Sequence, residues 1–151
     1  MITLTVVSAA FVMGATIPPK FACDGISPPL SWAEVPAGTQ SIAVLCDDPD
    51  APAGDWVHWV IFNLPPDTKI DEGVPKGVKL PNGASQGIND YGENGYDGPC
   101  PPPGRPHRYF YKVYALDAKL ALTPKARKAD LLKAMEGHIL AKGELMGKFR
   151  R

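Results

Sequence analysis

Short runs of apolar and β-branched residues alternate along the chain with clusters of proline, glycine and polar residues. The runs SIAVLCDD and WVHWVIFNL are almost continuously apolar, which is typical of central strands covered on both faces. The segments between the runs are rich in proline and glycine, which excludes long helices there. The predicted strands are Ile2–Val7, Leu30–Trp32, Ser41–Asp47, Val57–Asn63 and Arg108–Leu116. This pattern predicts a mainly β fold, a sandwich of two sheets.

The C-terminal part of the chain has a different period. Apolar residues recur at helical spacing from Leu131 to Ile139. Thr123 is suited to the N-cap position and Pro124 to the first position of a helix. We therefore predict one or two C-terminal helices that end before Gly143.

Length and charge limit the class of protein. The chain of 151 residues matches one ordinary domain, so we predict a single domain over residues 1–151. Its 16 basic and 16 acidic residues cancel, so no overall charge directs it to nucleic acid or to an anionic membrane. No apolar run approaches the ~20 residues of a membrane span. The N-terminal apolar segment lacks the basic residues of a secretory signal, and Thr3, Thr5 and Ser8 interrupt it.

The cysteines also bear on the compartment. Cys23, Cys46 and Cys100 are an odd number and show no CxxC spacing, which argues against a disulfide framework or a zinc site. Free buried thiols are the simplest interpretation, above all for Cys46 in an apolar run. We therefore predict a cytoplasmic protein.

The segment DDPDAPAGDWVHW joins the two most apolar runs and carries the first candidate polar groups. Asp48 ends one predicted strand and His58 lies within the next, so the two side chains converge at one opening if the strands are neighbours. Each has a structural alternative. An Asp-Pro-Asp sequence commonly forms a turn, and a histidine between Val57 and Trp59 is commonly a core residue bonded to a backbone carbonyl.

The segment GPCPPPGRPHRY supplies the second set of candidates. Its prolines fix their own φ and cannot donate hydrogen bonds, so the loop is rigid and the N–H of Gly98 is one of its few donors. His107 and Tyr109 lie two positions apart on a strand and share a face, whereas Arg108 points the other way. We interpret Arg108 as a structural residue that ties the loop to carboxylates or carbonyls. Placed opposite the first set, these groups predict a small polar cavity for an anion.

At this point the sequence resembles a known family. DPDAP, WVHW and GYDGPCPPPGRPHRY are similar to the paired motifs of the phosphatidylethanolamine-binding protein family, also called Raf kinase inhibitor-like proteins. KFACDG, SPPLSW, QGIND and KGELMGKF are similar to its prokaryotic branch. The resemblance implies a Greek-key sandwich of two antiparallel sheets with C-terminal helices, and a pocket for phosphate, acetate or phospho-headgroups. Carried over by position, the ligand-binding residues are Asp48, Ala51, His58, Gly98, Pro99, His107 and Tyr109.

The resemblance also implies details of this pocket. It implies a cis bond before Pro52 that aims Asp48 inward. We expect one imidazole to stay neutral, oriented by Asp48, and the other to become cationic when an anion enters, because two charged imidazoles would repel. The N–H of Gly98 and the hydroxyl of Tyr109 would donate to the anion. The sequence departs from animal members after the glycine, and Cys100 replaces part of the wall there.

Several alternatives remain open at this stage. Cys23 and Cys100 both lie near family motifs, so a disulfide between them is one option. Two imidazoles and a carboxylate could bind zinc or iron, although the resemblance opposes a metal site. We predict a non-catalytic binding protein without a cofactor, and kinase or signalling regulation is one use of such a pocket. A hydrolase with His58 or His107 as acid or base, and a structural protein with a vestigial pocket, are the alternatives. Partners would be a small anion, a phosphorylated protein or kinase, or a second copy in a homodimer.

Overall fold

The strands in the central part of the chain follow the sequence pattern. The computed structural model describes residues 2–151. Its elements are β1 Ile2–Thr3, β2 Val6–Val7, β3 Leu30–Trp32, β4 Ser41–Asp48, β5 Trp56–Leu64, β6 Lys69–Ile70, β7 Ser85–Gln86, β8 His107–Leu116, α1 Lys128–Met135 and β9 Ile139–Phe149. The predicted strands that became β3, β4, β5 and β8 are correct to within one residue at each end. The predicted strand Ile2–Val7 is two short strands, which belong to different sheets.

The strands form two sheets. The larger has the order β1-β9-β8-β4-β5-β7 and the smaller the order β2-β3-β6. In the larger sheet β4, β5 and β7 lie side by side and β8 returns beside β4, which is a Greek-key arrangement. The described strand pairs are antiparallel except β1 with β9, which is parallel. The predicted mainly β class and Greek-key sandwich are confirmed.

Apolar side chains cover both faces of the larger sheet. One cluster lies between the two sheets and includes Val44 and Tyr111. The other lies on the opposite face beneath α1 and includes Leu45 and Leu131. All eight residues of β4 are buried as a result, which explains why its sequence has no polar alternation. We call the face toward the smaller sheet the inner face.

The C-terminal helices were predicted only in part. The structure has one helix here, and α1 begins at Lys128 rather than at Pro124. Thr123 lies in the preceding turn, where its hydroxyl accepts a hydrogen bond from the N–H of Lys125 at 3.2 Å. No helix within residues 2–151 is long and apolar enough to cross a membrane.

The chain ends in a strand that the sequence pattern did not predict. Strand β9 is the longest of the protein and pairs with β8 along its whole length. Two of its inward-facing positions are glycines. A Cβ at Gly143 would collide with the carbonyl of Leu4, and a Cβ at Gly147 would collide with the side chains of Ile17 and Phe11. Because these positions must be empty, the alternation of apolar residues that marks a half-buried strand is missing.

Candidate functional site

A cavity of about 230 Å³ opens where the inner face of the larger sheet ends. Strand β4 brings Asp48 there and β8 brings His107 and Tyr109, because the two strands are antiparallel neighbours. Of the predicted site residues, the structure brings Asp48, Ala51, His58, His107 and Tyr109 together around this cavity. The rest of its wall consists of Pro52, Ala53, Trp56, Tyr91, Cys100, Pro101 and Pro102.

A β-bulge places His58 in the cavity. Cys46 on β4 pairs with Trp59 on β5, but the next residue, Asp47, pairs with Val57, so His58 has no partner across the strands. The extra residue reverses the alternation of β5. Without the bulge, His58 would share the helix-side face with Val60 and Phe62. The bulge instead turns the imidazole to the inner face, toward Asp48.

Asp48 and His107 form a buried pair. Nδ1 of His107 donates to Oδ2 of Asp48 at 2.8 Å, and the backbone N–H of Asp50 donates to Oδ1 at 2.7 Å. Asp48 is 3% exposed and His107 is 7% exposed. Both carboxylate oxygens are therefore occupied, and the carboxylate fixes the imidazole so that its Nε2 is the ring nitrogen left for a ligand.

His58 is held by a different acceptor. Its Nδ1 donates to the backbone carbonyl of Asp97 at 2.6 Å. Burial is the largest influence on this imidazole and lowers the pKa of His58, while the Asp97 carbonyl acts in the opposite direction. A carbonyl only accepts, so in the neutral form the proton lies on Nδ1 and Nε2 carries the lone pair. The expected arrangement is thus corrected: the imidazole oriented by Asp48 is His107, whereas burial keeps the other one, His58, neutral.

One buried amide organises the loop that carries the Asp97 carbonyl. The side-chain NH₂ of Asn89 donates to the Gly95 carbonyl at 3.0 Å and to a carboxylate oxygen of Asp97 at 2.8 Å. Its oxygen accepts from the backbone N–H groups of Tyr91 at 2.9 Å and Glu93 at 3.0 Å. Asn89 is fully buried. It therefore positions both the acceptor for His58 and the aromatic ring of Tyr91 at the cavity mouth.

Aromatic rings form much of the cavity wall. The ring of Tyr91 packs edge-on against Trp56, with centroids 5.4 Å apart, and Tyr109 packs edge-on against His58 at 5.3 Å. The indole N–H of Trp56 is buried and has no hydrogen-bond partner among the residues that the structure describes. Burial first, and then the charge of Asp48, raise the pKa of Tyr109 far above its usual range, so its phenol keeps its proton. Trp56 belongs to the motif WVHW, but neither Trp56 nor Tyr91 was among the predicted site residues.

Gly98 and Pro99 lie behind the wall rather than in it. The N–H of Gly98 donates to the carbonyl of Cys23 at 3.0 Å, and the carbonyl of Pro99 accepts from the N–H of Cys23 at 2.9 Å. The expected donation from Gly98 to an anion is therefore corrected, because that N–H is already used. The absence of a Cβ at Gly98 matters for another reason, since a Cβ would collide with the carbonyl of Phe21.

The same two segments are joined covalently. Cys23 and Cys100 form a disulfide with Cα atoms 4.6 Å apart, and Cys46 is a free, buried thiol. Free thiols at all three positions were the simplest interpretation of the sequence, and that interpretation is wrong for Cys23 and Cys100. The cytoplasmic location stays a prediction, but it loses the support of unpaired cysteines.

The loop that follows β4 is held without the expected cis bond. The peptide bonds of residues 2–151, including the one before Pro52, are all trans. Arg108 instead fixes the loop, since its Nε and Nη2 donate to the two oxygens of Asp50 at 2.9 Å each. Its backbone N–H also donates to Asp50 at 2.9 Å. The geometry agrees with the structural interpretation of Arg108.

A larger cleft of about 640 Å³ lies along the smaller sheet but has simpler chemistry. Two of its carboxylates are exposed and paired with lysines, Glu72 with Lys20 and Asp71 with Lys69. No histidine or cysteine lines it. Within residues 2–151 no group of three or more His, Cys, Asp or Glu side chains is arranged to hold a metal ion. The buried titratable pair with a second imidazole beside it makes the smaller cavity the candidate site.

Because buried His58 is neutral, we predict that the folded protein loses stability in acid. Its pKa is lowered from 6.5 in the folded state, so below that pH the unfolded chain binds more protons and stability falls as the pH falls. We expect His58→Asn, whose amide can still donate to the Asp97 carbonyl, to lose less stability on acidification than the wild type. The variant should also be about 1 kcal/mol less stable at neutral pH because it leaves a small cavity.

Urea denaturation at a series of pH values measures this difference. His138→Asn is the control, because it removes an exposed histidine outside the site and its amide can still donate to Asp117, the carboxylate that lies 2.8 Å from Nδ1 of His138. If the free energy of unfolding falls equally steeply with falling pH in His58→Asn and in the wild type, the buried imidazole of His58 is not neutral in the folded protein.

Comparison with known proteins shows the family. The sequence model of the family described as phosphatidylethanolamine-binding protein matches residues 7–150. A UPF0098 protein of Methanothermobacter thermautotrophicus is 55% identical over 145 residues, covering 94% of this chain and 95% of that protein. A UPF0098 protein of Aquifex aeolicus is 45% identical over 98% of this chain and 89% of its own length.

Solved structures agree with this assignment. Escherichia coli YbcL, described as a member of the mammalian PEBP family, superposes with a TM-score of 0.90 at 34% identity and 98% coverage of both chains. A Chlamydia trachomatis homologue of these proteins gives a TM-score of 0.88 at 40% identity, covering 100% of this chain and 99% of its own. The chain belongs to the phosphatidylethanolamine-binding protein family and has prokaryotic relatives, as the sequence motifs predicted. Family membership suggests a binding protein.

Proposed function

We propose that the protein is a non-catalytic binding protein whose cavity accepts phosphate or a phosphorylated headgroup. The observation that carries the proposal is the buried pair of Asp48 and His107, joined at 2.8 Å. When His107 is protonated, the carboxylate compensates its charge inside the protein and Nε2 becomes a charge-assisted donor to a ligand oxygen. A rigid surrounding wall lowers the cost of ordering the site around a small anion.

The neighbouring groups complement a phosphate that carries one proton. Neutral His58 offers a lone pair at Nε2, which can accept from a P–OH group. The phenol of Tyr109 keeps its proton and can donate to a second oxygen. These groups take the place of the Gly98 N–H that the sequence suggested.

The composition of the wall supports binding rather than catalysis. The described lining contains no serine or threonine, and its one cysteine, Cys100, is in a disulfide. Tyr109 is a poor nucleophile because its pKa is raised. The proposed ligand is a free small anion, a phosphorylated headgroup, or a phosphate on a partner protein such as a kinase, for which the protein would act as a regulator. Turnover of a phosphomonoester or carboxylic ester that depends on His58 or His107 would contradict the non-catalytic assignment.

Calorimetric titration with phosphate and phosphoethanolamine at about pH 6 tests the proposal. We expect His107→Asn to bind at least about tenfold more weakly than the wild type, because a charge-assisted hydrogen bond is lost. The asparagine amide can still donate to Asp48, so the fold of the site is preserved. His138→Asn is the matched control and should bind as the wild type does. Absence of binding to the wild type, or equal binding to His107→Asn, would overturn the proposal.

A further inference from the structure

A second, basic cavity lies beside the candidate site. It has a volume of about 300 Å³ and is lined by Asp50, Arg105, Pro106, Arg108 and Lys148. Arg108 and Lys148 are direct neighbours on β8 and β9, and they lie on the face of the sheet opposite His107. We call this cavity the basic cleft. Nothing in the proposed phosphate site requires it.

The basic cleft has an excess of positive charge that the protein does not neutralise. Its only carboxylate among the described lining residues, Asp50, is taken by both ends of the Arg108 guanidinium at 2.9 Å. This contact lowers the pKa of Asp50 to about 2, so the pair stays ionised and neutral overall. Arg105 and Lys148 are exposed and form no ion pair among residues 2–151. Two cations thus remain, in a chain whose total charge is zero.

The two cavities share the loops that form their walls. Asp50 lines the basic cleft and the next residue, Ala51, lines the candidate site. In the other loop, Pro102 lines the candidate site and Arg105 lines the basic cleft. Neighbouring residues of the same two loops therefore line both cavities, so the cavities adjoin at this end of the sheet on either side of the loops. A ligand that extends out of one cavity around these loops would meet the other.

We propose that the basic cleft binds a second anionic group of the ligand whose phosphate occupies the candidate site. The ligand class is therefore a phosphorylated compound that also carries a carboxylate or a second phosphate, on a chain long enough to pass from one cavity to the other around the shared loops. This inference rests on the proposed function. The same chemistry occurs in small phosphorylated acids and in phosphorylated acidic peptides, and the probes below separate these sources.

Pairs of ligands that differ in one charge test the inference. One pair is O-phosphoserine and phosphoethanolamine, which differ by the carboxylate. The other pairs are acetylated, amidated phosphoserine peptides that end in aspartate or asparagine after no, one, two or three glycines. We expect at least one acidic member to bind the wild type about three- to tenfold more tightly than its neutral counterpart, with the gain reduced by added salt.

Variants that remove one positive charge show which residues cause the extra affinity for the acidic ligands. In Arg105→Gln and in Lys148→Gln, the gain from the second anion should shrink at least about twofold, while the affinity for phosphoethanolamine changes little. Lys133→Gln removes an exposed charge from α1, on an element that does not line either cavity, and should leave the gain unchanged. A gain with O-phosphoserine supports a small ligand, and a gain with the longer peptides alone supports a phosphorylated acidic peptide.

The remaining outcomes overturn the inference. If neither phosphoethanolamine nor phosphate binds the wild type, the proposed function fails and the inference fails with it. If phosphoethanolamine binds but every acidic ligand binds no better than its neutral counterpart, the inference alone fails. A last outcome is that Arg105→Gln and Lys148→Gln weaken sedimentation of the protein with phosphatidylserine vesicles but do not change the extra affinity of any acidic ligand over its neutral counterpart. The inference then fails, because the basic cleft would contact membrane lipids.

Discussion

Replacing both bridged cysteines, Cys23→Ser with Cys100→Ser, is expected to lower the free energy of unfolding by about 4 kcal/mol. The disulfide joins residues 77 positions apart, so it removes a large part of the freedom of the unfolded chain. Both cysteines are only partly buried, so the serines themselves should cost little in the folded state. Urea denaturation of the oxidised wild type and the double variant measures the difference.

Reductant supplies the control for this experiment. Dithiothreitol should lower the denaturation midpoint of the wild type toward that of the double variant and should leave the double variant unchanged. Thiol titration of the unfolded, unreduced wild type should find one free thiol, that of Cys46. A wild-type midpoint that does not respond to reductant, together with three free thiols, would show that the bridge is absent in solution.

The central strands could be predicted from the sequence because burial on both faces leaves a simple signal. Strand β4 is buried at every residue, so its apolar run marks the element directly. Strand β9 carries no such signal. Its inward positions Gly143 and Gly147 are empty because Leu4 and Ile17 occupy the space, and these contacts come from the far end of the chain. A pattern read along a short window cannot contain that information.

The site was predictable in its residue types and less so in its geometry. Alternation along one strand predicted that His107 and Tyr109 share a face, and the family resemblance placed them opposite Asp48. The pairing of β4 with β8, which brings the three residues together, is seen only in the structure. The position of His58 depends on a β-bulge, which one extra residue creates and which no residue type announces. The roles of the two imidazoles depend on acceptors distant in sequence. Asp97 is 39 residues from His58, and Asp48 is 59 residues from His107.

The anion affinity of the candidate site is expected to fall as the pH rises through the range in which imidazoles lose their proton, near ~6.5 in model peptides. Burial lowers the pKa of His58, and the carboxylate of Asp48, 2.8 Å from Nδ1 of His107, is the group in the site that would compensate a positive charge on an imidazole. A bound anion favours the protonated form, so binding takes up a proton. The anion is therefore bound most tightly at acidic pH. Its association constant falls toward alkaline pH, by up to about tenfold per pH unit when one proton is taken up.

Sulfate and phosphate together isolate the contribution of the protein. Phosphate titrates in the same pH range, whereas sulfate stays a dianion from about pH 5.5 to 8.5, so the sulfate profile reports the protein alone. Sulfate should bind more weakly because it has no hydroxyl for the lone pair of His58, but its affinity should fall steeply with pH. Calorimetry in two buffers with different ionisation enthalpies counts the protons taken up. A sulfate affinity that is flat over this range would show that no change of imidazole charge supports the anion, and uncharged N–H and O–H donors would then account for its binding.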